Sequence, residues 1–234
     1  MAFSAKRDLV VLLDVDNTLL DNDRFGTDLG ARLEEAFGAA ERDRYWTIYN
    51  KLRDDFGFAD YLAALQLFRA GVEDDPDLLQ MSGFLLEYPF AERLFPEALA
   101  AVERLKGFSV PAILSDGDIV FQPRKIQRAG IWDAVDGQVM ICLHKEQRLD
   151  AMQRFFPARH YAMVDDKPKL LAAMKRVLGD KLTTVFVRQG HYAQESAGKA
   201  IDPAPDLTIE RIGDLIALDP AAFTRSADRI SPSA

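Results

Sequence analysis

Residues 9–23 read LVVLLDVDNTLLDND. Five apolar residues lead without interruption into Asp14, and a second carboxylate follows at Asp16. Unbroken apolarity, rather than alternation, predicts a strand covered on both faces, as in a parallel sheet flanked by helices. Asp and Asn are also ordinary turn formers, so the acids alone could simply close the strand. The remainder of the chain decides between a turn and a carboxylate aimed at a substrate.

Similar apolar runs recur at VPAILS (110–115), QVMICL (138–143), YAMV (161–164) and TTVFV (183–187), with a short LTI at 207–209. Between them lie segments of helical periodicity. PEALAAVERLKG (96–107) groups Leu99, Val102 and Leu105, KEQRLDAMQRFF (145–156) groups Leu149, Met152 and Phe156, and PKLLAAMKRVLG (168–179) groups Leu170, Met174 and Val177. RIGDLIAL (211–218) predicts a last helix, after a polar connection over 189–206. Strand alternating with helix specifies an α/β fold, a Rossmann-like parallel sheet core flanked by helices.

The interval between the first two strands breaks this rhythm. Residues 21–92 carry helical patterns, such as ADYLAALQLFRAG at 59–71, but no strand pattern. A crossover of that length far exceeds a simple βαβ connection, so it predicts an inserted, all-helical subdomain. The core then comprises residues 1–20 and 93–234. The aromatics of the insertion, among them Phe37, Tyr45, Trp46, Tyr49, Phe56 and Phe58, are expected to form its own core.

Composition narrows the function classes. A net charge of −8 argues against a nucleic-acid surface. The single cysteine, Cys142, sits in an apolar run and reads as a buried thiol, and no Cys/His spacing offers a zinc site. MAFSAKRD has no signal-peptide pattern, and no apolar run approaches the roughly 20 residues that span a bilayer. A soluble, cytoplasmic protein is expected, with no membrane partner, its oligomeric state open and the terminal ISPSA frayed.

Chemically loaded residues stand at the ends of the predicted strands. Asp14 and Asp16 close the first, with Thr18 beyond; Ser115, Asp116 and Gly117 close the second; Lys145 follows the third; Asp165 and Asp166 close the fourth. In open α/β sheets these carboxyl ends share one crevice. The ordered set DxDxT, Ser, Lys and paired acids resembles the haloacid dehalogenase superfamily, populated mainly by phosphatases, and the resemblance covers essentially the whole chain. It implies a helical cap over residues 21–92, mobile about LLDND (19–23) and EYPFAERLFPE (87–97).

The resemblance further implies roles. Asp14 would be the nucleophile that becomes an aspartyl-phosphate. Mg2+ would be held by Asp14, Asp165 and the main-chain carbonyl of Asp16. Lys145 would add positive charge, and Ser115 would hydrogen-bond a phosphoryl oxygen beside Asp116 and Gly117. Asp166 would orient a metal ligand or Lys145, and Thr18 would brace the loop. Asp16 would act as general acid and then general base; halide displacement needs no proton, so an acid here points to phosphoryl chemistry. The partner expected is a small phosphorylated metabolite.

Rivals are weighed by their missing parts. A receiver domain places its acids on different strands and lacks the insertion. No GxxxxGK[ST] or GxGxxG stretch occurs. A phosphonatase needs a cap lysine, and Lys51 is the only one between residues 21 and 92. A sugar-phosphate mutase would use the same core, while a non-enzymatic phosphate-binding protein should have lost an acid that this chain keeps.

Overall fold

A computed structural model describes residues 7–58 and 60–224. Residues 1–6 of the segment read as lacking a signal peptide, and the ISPSA end, lie outside the described residues. The strands are β1 (Arg7–Leu13), β2 (Val110–Asp116), β3 (Val139–Cys142), β4 (Ala158–Asp165), β5 (Leu182–Val187) and β6 (Leu207–Ile209). They form one six-stranded sheet in the order β3-β2-β1-β4-β5-β6, with every pairing parallel. This is the Rossmann-like arrangement that the apolar runs predict.

The central strand explains why its sequence does not alternate. Val10, Val11, Leu12 and Leu13 are all fully buried. Val11 and Leu13 enter one cluster with Ala101, Val102 and Leu105, whereas Val10 and Leu12 join Leu149, Met152, Leu171 and Met174 on the other face. Each such side chain contributes about 1.5–3 kcal/mol of burial, so a register slip would be costly. Register is fixed on both sides, Leu13 lying opposite Ile113 of β2 and Val164 of β4.

Between β1 and β2 the chain forms α1 (Asn22–Phe37), α2 (Ala39–Phe56), α3 (Tyr61–Phe68) and α4 (Asp77–Glu87), then α5 (Ala98–Lys106) on the sheet. Phe25, Leu29, Tyr45, Tyr61, Phe68 and Met81 are buried among these helices. Tyr45 is further fixed by donating to the Tyr61 carbonyl at 3.0 Å. The expectation of an aromatic core holds for Tyr45 and Tyr49 but not throughout, because Phe56 is 57% exposed. The chain enters and leaves this helical region side by side. Leu20 bridges Leu94, Asp21 N donates to Arg93 O at 2.7 Å, and Phe95 N donates to Leu19 O at 2.9 Å.

After β2 come α6 (Phe121–Arg128) and α7 (Ile131–Ala134), then α8 (Leu149–Phe155), α9 (Pro168–Leu178) and α10 (Gly190–Glu195) in the later crossovers. Two readings need correction. The helix expected over 145–156 is a 3-10 turn at Lys145–Gln147 followed by α8. The last helix, over 211–218, is a 3-10 stretch at Ile212–Ala217, capped through Asp214. The polar connection after β5 contains α10. Among the described residues no helix is long and apolar enough to cross a membrane.

Candidate active site

The strand order reverses at β1, with β2 and β3 on one side and β4 to β6 on the other. Such a switch point opens a crevice at the carboxyl ends of the strands. Asp14, Ser115, Lys145, Asp165 and Asp166 all sit there and are all buried. A cleft of about 850 Å3 opens above them, bordered by Asp16, Asp116 and Lys167 from the core and by Trp46, Tyr49 and Arg53 of α2.

Lys145 ties the strand ends together. Its Nζ lies 2.5 Å from Asp14 Oδ1, 2.7 Å from Asp165 Oδ2 and 3.3 Å from Leu114 O. Burial opposes its charge, but Asp14 and Asp165 outweigh that penalty and push its pKa far above the usual lysine value. The backbone of Lys145 is held as well, its N–H donating to Asp116 Oδ1 at 2.7 Å. Asp116, largely removed from water, has its pKa raised by that burial.

Asp14, Asp165 and Asp166 each offer an oxygen within 4.8 Å of the others. Burial raises Asp14 to about 6, with Lys145 pulling it down and Asp165 pushing it up. Asp166 climbs to about 9 through burial and then the neighbouring Asp165 and Asp14. Asp14 Oδ2 and both Asp166 oxygens are buried without a hydrogen-bond partner. Three crowded carboxylates with orphaned oxygens fit a hard divalent cation, whose charge would relieve their repulsion. Asp166, expected only to orient a ligand, belongs to this cluster, whereas the Asp16 carboxylate does not.

Asp16 has a separate clasp. Lys125 Nζ lies 2.6 Å from its Oδ1 and Gln122 Nε2 3.1 Å from its Oδ2. Gln122 also donates to Ser115 Oγ at 3.0 Å, joining the first two strand ends through α6. Gly117 is needed there, since a Cβ on it would approach Gln122 Cβ to 2.9 Å. Lys125 reaches Asn22 Oδ1 at 3.1 Å as well. Polar and proline-bearing, FQPRKIQR gives no hint that its lysine and glutamine turn inward toward a residue over a hundred positions away.

Thr18 does not brace the loop through its side chain, because its buried hydroxyl has no hydrogen-bond partner. Asn17 does so instead. At φ +60° its Oδ1 accepts from Asn22 N at 3.0 Å and Asp23 N at 3.2 Å, and its Nδ2 donates to Asp23 Oδ1 at 2.9 Å. Asn tolerates that left-handed backbone well, a signal the DxDNT stretch carries. His191 closes this network, its Nδ1 lying 2.6 Å from Asp23 Oδ1 and its N–H donating to Asp23 Oδ2 at 2.9 Å.

Lys167 borders the same cleft. Burial opposes its charge, yet Asp14 and Asp165 prevail and it is pushed up to about 12. Its Nζ stands 4.5 Å from the Tyr192 ring centre. The lone lysine of residues 21–92 is elsewhere: Lys51 is exposed and pairs with Asp55 at 2.8 Å.

A doubly wound sheet with a buried lysine and clustered carboxylates at its switch point places the protein in the α/β class, with its candidate site at the carboxyl ends of the strands. Residues 9–177 match the family model for haloacid dehalogenase-like hydrolases, and the chain belongs to that family. A haloacid dehalogenase-like hydrolase of Burkholderia xenovorans LB400 is 52% identical, with a TM-score of 0.85 over 92% of this chain and 98% of that one. A magnesium-bound hydrolase of Bacillus subtilis shares the fold at 16% identity and TM-score 0.59, covering 91% and 98% of the two chains. L-2-haloacid dehalogenase of Xanthobacter autotrophicus does so at 18% identity and TM-score 0.57, covering 89% and 97%. No curated protein matches the chain.

Proposed function

We propose that this hydrolase is a magnesium-dependent phosphomonoesterase acting on a small phosphorylated metabolite through an aspartyl-phosphate on Asp14. The observation that carries the reading is Asp16: a second carboxylate, two residues beyond the buried Asp14, borders the cleft with its side chain 25% exposed. An ester oxygen leaving as an alcohol needs a proton, and a leaving halide does not.

Asp14 is held for attack by Lys145 at Oδ1, which leaves Oδ2 unpartnered. The new bond runs from Asp14 oxygen to phosphorus as the ester P–O bond breaks, and Asp16 protonates the departing oxygen. Asp16 then takes a proton from water, whose oxygen attacks phosphorus and releases phosphate from Asp14. Magnesium, held by Asp14, Asp165 and Asp166 with the Asp16 carbonyl, would neutralise phosphoryl charge. Ser115, oriented by Gln122, would hydrogen-bond a phosphoryl oxygen. The helices over 21–92 act as a cap that excludes bulk water when closed about the paired linkers.

The phosphonatase alternative finds no support, because Lys51 is exposed and does not border the cleft. The test is a panel of phosphomonoesters, a phosphonate and an L-2-haloacid, assayed with and without Mg2+. Metal-dependent phosphate release is expected, lost in Asp14→Asn and reduced about 10²- to 10⁴-fold in Asp16→Ala. Halide release in place of phosphate release would overturn the reading, as would equal turnover by wild type and Asp14→Asn. Return of the phosphoryl group to substrate would identify a mutase, and phosphate binding without turnover a binding protein.

A further inference from the structure

The cleft is lined by the carboxylates of Asp16, Asp23, Glu34 and Asp116, and each already has a partner. Asp16 pairs with Lys125, Asp23 meets His191, Glu34 pairs with Arg42, and Asp116 accepts from the Lys145 N–H. The basic side chains of the lining divide differently. Arg42 is taken up by Glu34 and Asp43, and His191 by Asp23. Lys167 belongs to the floor, its N–H donating to Asp165 Oδ1 at 2.8 Å. Arg53 is left over. Its side chain is 41% exposed, and among the described residues its one ion pair is with its sequence neighbour Asp54, at 3.6 Å, beyond hydrogen-bond reach.

Helical spacing puts Arg53 on the cleft face of α2. Arg42, Trp46, Tyr49 and Arg53 recur at intervals of four, three and four residues, so they share one face, and all of them line the cleft. An arginine in the last turn of a helix complements its dipole whichever way it points, so the dipole does not account for this direction. Arg53 and Asp16 also act on the same group. Burial first pushes the Tyr49 hydroxyl up to about 12, and of the charges that follow Asp16 raises it while Arg53 opposes. One turn beyond Arg53, Gly57 abuts the ring of His144, the residue before Lys145. Arg53 thus stands on the wall opposite the strand ends, at the end of α2 that meets the Lys145 turn.

We infer that Arg53 receives a second anionic group on the substrate, so that the compound hydrolysed is a phosphomonoester that also carries a carboxylate or a further phosphate. The assignment deepens the phosphomonoesterase reading and rests on it. A guanidinium presents parallel N–H donors in a rigid fork, which an oxyanion fills side by side. The phosphoryl group is met on the floor by Lys145, Ser115 and the metal, and the guanidinium on the wall is free for the other end. Trp46 lies about 10 Å farther along α2 by the helical rise. The cleft, at about 850 Å3, leaves room for a connecting chain beyond the phosphoryl group.

The experiment measures by calorimetry, in saturating Mg2+, the binding of phosphonates, which a phosphomonoesterase does not cleave. Phosphonocarboxylates and terminal bisphosphonates of increasing chain length are each compared with the alkylphosphonate of the same length, on wild type, Arg53→Met and Arg53→Lys. In wild type one chain length should bind about ten- to hundredfold tighter with the second anion than without it, the scale of one charged hydrogen-bonded pair. A preference in either series supports the assignment and names the group. Arg53→Met should abolish the preference and keep the alkylphosphonate affinity, and Arg53→Lys, with the charge but not the fork, should recover part of it. Equal binding with and without the second anion at every length overturns the assignment, while turnover of any phosphate ester leaves the phosphatase reading intact. Parallel loss of alkylphosphonate binding in Arg53→Met would also overturn it, since Arg53 would then serve the phosphoryl group or the fold. Wild type that binds no phosphonate and releases phosphate from no phosphomonoester brings down both.

Discussion

On the floor of the cleft, charged groups hold one another: Lys145 spans Asp14 and Asp165, and Lys125 and Gln122 clasp Asp16. The opposite wall, from α1 and α2, is held mostly by rings. Trp46 meets Tyr45 edge-on at 5.4 Å and Tyr49 at 5.3 Å, and Tyr49 stacks on Tyr61 at 4.7 Å. The floor is specific in direction, because its buried carboxylate oxygens either meet a donor or belong to the Asp14, Asp165 and Asp166 cluster. The wall is specific in shape, because its edge-to-face contacts fill space without fixing a proton. On the proposed function, chemistry would belong to the first construction and substrate fit to the second.

Breaking the floor should do the most. Lys145→Met leaves Asp14 and Asp165 without their shared cation and should cost about 3–5 kcal/mol in urea unfolding, with turnover lost. Lys125→Met removes a partner from an acid that solvent already reaches, and about 1–2 kcal/mol is expected. Equal costs for the two would erase the distinction between the buried clasp and the cleft-side one.

A smaller effect should follow from disturbing the seat of the wall on the floor. Gly57 ends α2 at φ +78°, and a Cβ there would overlap the imidazole of His144, just after β3. Gly57→Ala should cost about 1–2 kcal/mol from the left-handed backbone alone, with the clash added. Adding His144→Ala should relieve the clash and restore only that part, as read by a double-mutant cycle in thermal unfolding.

The smallest effect concerns Cys142, outside both constructions. Burial first, then Asp116, push its thiol up to about 11. Native protein should therefore label very slowly with iodoacetamide at pH 8, where the thiol stays protonated. The sign for stability follows: above about pH 9 the unfolded thiol ionises while the folded one does not, so stability should fall with rising pH there. Rapid labelling of folded protein at pH 8 would contradict this.

The sheet and the floor were largely legible because their signals are local. A buried strand writes an unbroken apolar run, and its terminal acid follows directly, as LVVLL into Asp14 and YAMV into Asp165 show. The clasp on Asp16 was not legible, since nothing in the spacing pairs it with Lys125, 109 residues away. Nor did periodicity separate an α-helix from the 3-10 stretch at 212–217, where hydrophobic spacing is compatible with either over so few turns. Asn17 could have been singled out, since Asn readily takes a left-handed backbone in a tight loop. His191 could not, because its partner Asp23 is contributed by a distant helix start.

The paired linkers carry a consequence for how such a chain can be remodelled. Because Leu20 and Leu94 are bridge partners, the core meets the helical insertion as the loop of a hairpin, whatever lies beyond. Loop-closure entropy grows only slowly with length, so the sheet is nearly indifferent to how many residues are hung there. One set of strand ends can thus be offered a succession of different insertions, and selectivity can diverge while the catalytic floor stays as it is.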